Sequence, residues 1–97
     1  ITALRKSLYG DSEGYHATPS EVSVTWYAYP EQQRDVELGP LTKVKRAYQG
    51  PEDYRELFPD GRMASDPSLA TPADGERLVS VAVTELAENY REFLAES

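Results

Sequence analysis

His16 is the only histidine in this 97-residue chain, and it stands in the run Ser12-Glu13-Gly14-Tyr15-His16-Ala17-Thr18-Pro19-Ser20-Glu21-Val22-Ser23. An imidazole, with an ordinary pKa of about 6.5, takes or gives a proton near neutral pH. A carboxylate beside it favours the charged form, and the N–H groups of a helix N-terminus disfavour it. Glu13 lies three residues before His16 and Glu21 five after it, across a turn loosened by Gly14, so that contact is allowed though not forced. Acid–base chemistry in this chain would therefore centre on His16. The same spacing also suits a solvated loop histidine, with Glu21 capping its own helix.

Other chemistries find little support. With no cysteine, disulfides, thiolate nucleophiles and cysteine-bound zinc are excluded. Neither a glycine-rich phosphate loop nor a Gly-x-Ser-x-Gly elbow is present. One histidine and no acidic cluster leave no complete metal site within the chain. Asp60-Gly61-Arg62 and Ser65-Asp66-Pro67 are explained by turn chemistry. A stripe of Trp26, Tyr27 and Tyr29 reads as core before it reads as a pocket.

Seventeen acids against ten Lys and Arg give a net charge of −7, which argues against nucleic acid or an anionic membrane as partner. The short basic run Lys43-Val44-Lys45-Arg46 does not overturn that. No apolar run reaches membrane-spanning length, and no signal-peptide pattern opens the sequence. Together with the lack of cysteine, this points to a cytoplasmic protein.

The elements that must position His16 can be read from their start and stop signals. Ile1, Leu4, Leu8 and Tyr9 fall at helical spacing and Gly10 stops them, predicting a helix over 1–9. Thr18 as cap, Pro19 at the first helical position and Glu21 three after the cap predict a helix over 19–29. Val22, Thr25, Trp26 and Tyr29 would form its apolar stripe; alternation at Val22, Val24 and Trp26 also permits a strand. Residues 41–48 suit a short strand. Pro51 opens a helix over 51–57, and Phe58-Pro59-Asp60-Gly61 closes it as a turn. Thr71-Pro72-Ala73-Asp74 repeats the start signal for a long helix over 72–95. Its apolar face is Leu78, Val79, Ala82, Val83, Leu86, Tyr90, Phe93 and Leu94.

These stripes lack a common partner. No strand is apolar enough to centre a sheet, and ordering costs about 1–2 kcal/mol per residue. The chain is therefore expected to be one partial domain over 1–97, cut from a longer protein whose upstream part supplies the sheet.

Glu13-Gly14-Tyr15-His16-Ala17-Thr18-Pro19-Ser20-Glu21-Val22-Ser23 resembles the His-Ala-Gly-x-x-Glu-Thr-Ser element of the creatininase (creatinine amidohydrolase) family. His16, Glu21 and Ser23 fall on the family's histidine, glutamate and serine. Downstream, Asp60 to Glu76, with Asp66-Pro67 and Ala70-Thr71 at its centre, resembles the family's Gly-x-x-Gly-Asp-Pro-x-x-Ala-Thr-x-x-x-Gly element. Tyr15 stands where some members have an acid, Thr18 where they have Gly, and Ser65 where Gly precedes Asp-Pro.

The resemblance implies an α/β layered fold with a mostly parallel sheet, of which this chain would be the C-terminal, mostly helical portion. It implies metal-dependent hydrolysis of a non-peptide C–N bond, of cyclic amide or formamide type, in a homo-oligomer. Zinc or manganese, polarising the carbonyl and supplying hydroxide, would be bound by residues this chain lacks. By the same resemblance His16 is the acid–base residue and Glu21 its close companion, with Glu13 and Tyr15 toward the small-molecule amide substrate. The chain alone would bind no catalytic metal and turn over nothing. The competing expectation is a non-catalytic acidic helical module that binds a protein partner through its Trp26 or Tyr90 face.

Overall fold

The computed structural model describes residues 1–96. Its helices are α1 (Thr2–Tyr9), α2 (Pro19–Ala28), α3 (Pro51–Leu57) and α4 (Pro72–Ala95), with 3-10 turns at Gly10–Glu13, Pro30–Gln32 and Pro67–Leu69. Among the described residues there is no strand, only an isolated antiparallel bridge between His16 and Met63.

Both Thr-Pro starts cap their helices. Thr18 Oγ1 accepts from the Glu21 N–H at 3.2 Å, and Thr71 Oγ1 from the Asp74 N–H at 3.0 Å. Pro30, which cannot continue the ladder, follows the last α2 bond, Tyr29 N–H to the Thr25 carbonyl at 2.7 Å.

The main packing contact is α2 against the first turns of α4. Small residues make it. Pro19, Ser20 and Ser23 are the buried face of α2, with Ser23 0% exposed, while Gly75 and Leu78 are buried on α4. A Cβ at Gly75 would overlap the Ser23 carbonyl and come within 2.8 Å of Tyr27 Cβ. The inward stripe expected on α2 is thus corrected: Thr25 and Tyr29 are exposed. Two backbones this close leave no room for aromatic rings between them.

Residues 41–48 are likewise not a strand. Among the described residues no neighbouring strand takes their hydrogen bonds. Within that stretch the Thr42 carbonyl accepts the Ala64 N–H at 2.9 Å. Residues 33–48 instead run as an extended, largely exposed arc.

The core that results is small: Tyr9, Phe58, Ala70 and Leu78 are its buried apolar side chains. The radius of gyration, 16.1 Å, exceeds the ~13 Å of a compact chain of about this length. Along the second half of α4, Val83, Leu86, Tyr90 and Phe93 remain exposed.

Gly75→Ala tests the helix crossing. Forcing a methyl into it should destabilise the protein by about 1–3 kcal/mol, despite alanine's better helix propensity. Urea unfolding of the variant against the unsubstituted protein measures this.

Candidate functional site

The backbone around His16 is built from two segments about fifty residues apart. The Tyr15 N–H donates to the Met63 carbonyl at 2.8 Å, and the Met63 N–H to the His16 carbonyl at 3.3 Å. Ser65 Oγ donates a second, short hydrogen bond to the same His16 carbonyl. The Asp66 N–H donates to the Ser12 carbonyl at 2.8 Å, closing the far end of the pairing.

Gly14 makes the approach possible. It sits at φ 64°, and any Cβ on it would lie within 2.5 Å of the Ala64 carbonyl oxygen and the Ser65 nitrogen. Ala17 at φ 55° and Ala64 at φ 57° are left-handed without being glycine, a conformation that costs about 1–2 kcal/mol per residue. Strain of that size persists only where the surrounding contacts over-determine the backbone. Here they do, on both strands of the bridge.

From this frame the candidate side chains go in different directions. The His16 side chain is exposed, and its ring meets the Tyr54 ring nearly edge-on, at 6.5 Å between centroids and 80° between planes. Among the described residues no hydrogen bond or ion pair joins His16 to Glu13 or Glu21.

Glu13 is turned inward, 7% exposed. It accepts from the Ser20 N–H at 3.1 Å, from Ser20 Oγ at 2.6 Å and from Arg5 Nε at 2.5 Å. A carboxylate at the N-terminus of α2 complements that helix's dipole and its free N–H groups. Glu13 therefore ties α1 to the start of α2.

Glu21 is exposed and faces a cavity of about 520 Å³ bounded by Ile1, Arg5, Ser20, Val24 and Leu78. Tyr15 is exposed beside a second cavity, of about 610 Å³, where Arg5, Lys6 and Lys43 converge near Glu13. Among the described residues no group of three or more His, Asp or Glu side chains is arranged to hold a metal ion.

Ser23 joins the two helices at the base of the site. Its Oγ pairs with Tyr9 Oη at 2.8 Å and accepts the Thr71 N–H at 3.1 Å. Tyr9 Oη also donates to Asp74 Oδ2 at 3.3 Å. Burial, helped by the Asp74 charge, pushes the Tyr9 phenol above its usual range.

The family model for creatininase, creatinine amidohydrolase, matches residues 2–90. The chain belongs to the creatininase family. Comparison with curated proteins gives no match. Membership points to amidohydrolase chemistry, and the geometry gives the two creatininase-like elements a shared structural meaning. His16, from the first, is fixed at its carbonyl by Met63 and Ser65, which lie in the second. Ser23 of the first is bonded to Thr71 of the second. No helix of the described residues is long and apolar enough to cross a membrane.

Three residues that hold the site carry no local signal in the sequence: Arg5, Ser20 and Tyr54. Tyr54 reaches His16 because the arc and α3 are pinned. Arg46 donates to both Asp53 oxygens at 2.7 and 2.6 Å, and the Gln49 N–H adds a third bond at 2.7 Å. Buried Arg62 holds Asp60 and the carbonyls of Gly39 and Pro40. The Arg46 hydrogen bonds, with the Gln49 N–H, lower the Asp53 carboxyl to about 2; Arg62 holds Asp60 below its usual range.

Two outcomes follow from this geometry. Glu13→Ala, which leaves the Ser20 N–H without its acceptor, should cost about 1–3 kcal/mol of stability in urea unfolding. Both Asp53 and Asp60 are depressed on folding, so their contribution is complete above the ordinary carboxylate range and lost as pH falls from about 5 toward 2. Hydrogen exchange should show the Gln49 and Arg62 amides losing protection over that window, while the Leu78 amide keeps its own.

Proposed function

We propose that this chain is the C-terminal, mostly helical portion of a metal-dependent amidohydrolase that hydrolyses a non-peptide C–N bond, of cyclic amide or formamide type. The observation that carries the reading is the fixed His16 backbone with its solvent-facing ring. The chain commits three backbone hydrogen bonds, one from the Ser65 hydroxyl and two left-handed alanines to a histidine whose own side chain makes no hydrogen bond among the described residues. A loop held that firmly around a free imidazole suits a proton donor or acceptor.

In this reading His16 takes a proton from the attacking water or gives one to the leaving nitrogen. Glu13 serves it at a distance, by fixing the start of α2. Glu21, on the first turn of α2, belongs to the same helix terminus and does not touch the ring. The zinc or manganese expected of such an enzyme has no ligand set among the described residues, so no step is assigned to it here. Its ligands, and the mostly parallel sheet of the layered fold, are placed elsewhere in a longer polypeptide, cytoplasmic and homo-oligomeric. The 97 residues alone turn over nothing.

A second reading, an acidic helical interaction module, draws on the exposed Val83, Leu86, Tyr90 and Phe93 of α4 and the net charge of −7. Kinetics separate the two. In the full-length protein, assayed on cyclic amides and formamides, His16→Ala should lower kcat by about 100- to 10,000-fold. An unchanged kcat would remove His16 from the mechanism, and no turnover of any amide by the unsubstituted protein would favour the module.

A further inference from the structure

The His16 backbone is fixed on both sides, but that leaves the side-chain torsions of the imidazole free. A proton-transfer group has to present one nitrogen in one direction, and small misplacements of such groups cost large factors in rate. Neither Glu13 nor Glu21 supplies the constraint. The ring that meets His16 is Tyr54, edge-on at 6.5 Å and 80°.

Tyr54 is itself unusually well held for a residue on a seven-residue helix. Its hydroxyl donates to the Gly61 carbonyl at 2.8 Å. Its ring packs on Phe58, 2% exposed, at 5.0 Å between centroids, and meets Tyr48 edge-on at 5.0 Å and 85°. The helix under it is bonded through Asp53 to Arg46 and Gln49. A ring clamped at its hydroxyl, at one face and at one edge has little freedom left to yield when the imidazole turns.

We propose that Tyr54 is a positioning residue for His16: its clamped ring holds the imidazole by an edge contact and selects one of its rotamers. The proposal rests on the reading of His16 as the acid–base residue. An edge-to-face contact of this kind biases a rotamer by roughly two- to tenfold, which is enough to matter for a group whose direction decides the rate. Tyr54 touches no reacting atom. Its effect passes through His16.

The experiment uses the full-length protein. In the unsubstituted protein, His16 ring protons, assigned by their loss in His16→Gln, should show NOEs to the Tyr54 ring and a ring-current shift. Tyr54→Phe should keep that shift and most of kcat, whereas Tyr54→Leu should lose the shift and about tenfold in kcat, with KM little changed. In a His16→Ala background, Tyr54→Leu should have no further effect on kcat. Absence of the NOEs and the shift in the unsubstituted protein overturns the proposal, whether or not Tyr54→Leu folds. So does an equal loss of kcat with and without His16, since that marks a merely structural role. If the protein hydrolyses no amide at all, the assignment of His16 fails, and the NMR shift still reads whether Tyr54 holds the ring.

Discussion

The His16 carbonyl is the atom on which the rest of this structure depends. It accepts from the Met63 N–H and from Ser65 Oγ, and so joins the loop after α1 to the loop before α4. Without that pair of hydrogen bonds, the Tyr15–Met63 and Ser12–Asp66 backbone bonds, the Ser23–Thr71 bond and the α2–α4 crossing are what is left to align the two segments. The carbonyl fixes backbone, and the backbone leaves the imidazole outside. A histidine held through its main chain keeps its side chain available, which is the opposite of a buried histidine satisfied by its neighbours.

Beneath this pairing, polar contacts replace an apolar core. Ser23, fully buried, bonds to Tyr9 and to the Thr71 N–H, while Glu13 gathers Arg5 and Ser20 at the start of α2. Such networks are directional, and a satisfied one specifies a single arrangement more sharply than the few apolar side chains here could. The cost is that each member matters. Removing one partner of a buried bond leaves the other without solvent to replace it.

What the sequence disclosed depended on how local the signal was. The starts of α2 and α4 were legible because a Thr cap and its bonded N–H are three residues apart. His16 and the Asp66-Pro67 element were legible as types in a pattern. The partner of Glu13 was not, because nothing in a run of letters says that a carboxylate will turn toward Arg5 and Ser20 and away from the adjacent imidazole. The aromatic stripe of α2 misled for a physical reason: periodicity reports an apolar face, but the closest helix crossings select small residues such as Ser23 and Gly75. Residues 41–48 suit a short strand, yet a strand needs a second strand beside it, and residue type alone cannot supply one. Tyr54, thirty-eight residues from His16, is brought there by Arg46, Asp53 and Arg62, each acting across a turn or an arc.

The extended arc over 33–48 has a consequence of its own for how such a chain can vary. It lies outside the core, and its anchors are few: Arg62 on Gly39 and Pro40, Ala64 on Thr42, Arg46 on Asp53. Closing a loop costs free energy only as the logarithm of its length, about 0.6 kcal/mol for each doubling. Between Gln33 and Asp35 or between Lys43 and Lys45, residues can therefore be gained or lost while the bridge at His16 keeps its register. Across the family, length should drift in this arc and stay constant from Gly14 to Ser23 and from Met63 to Gly75.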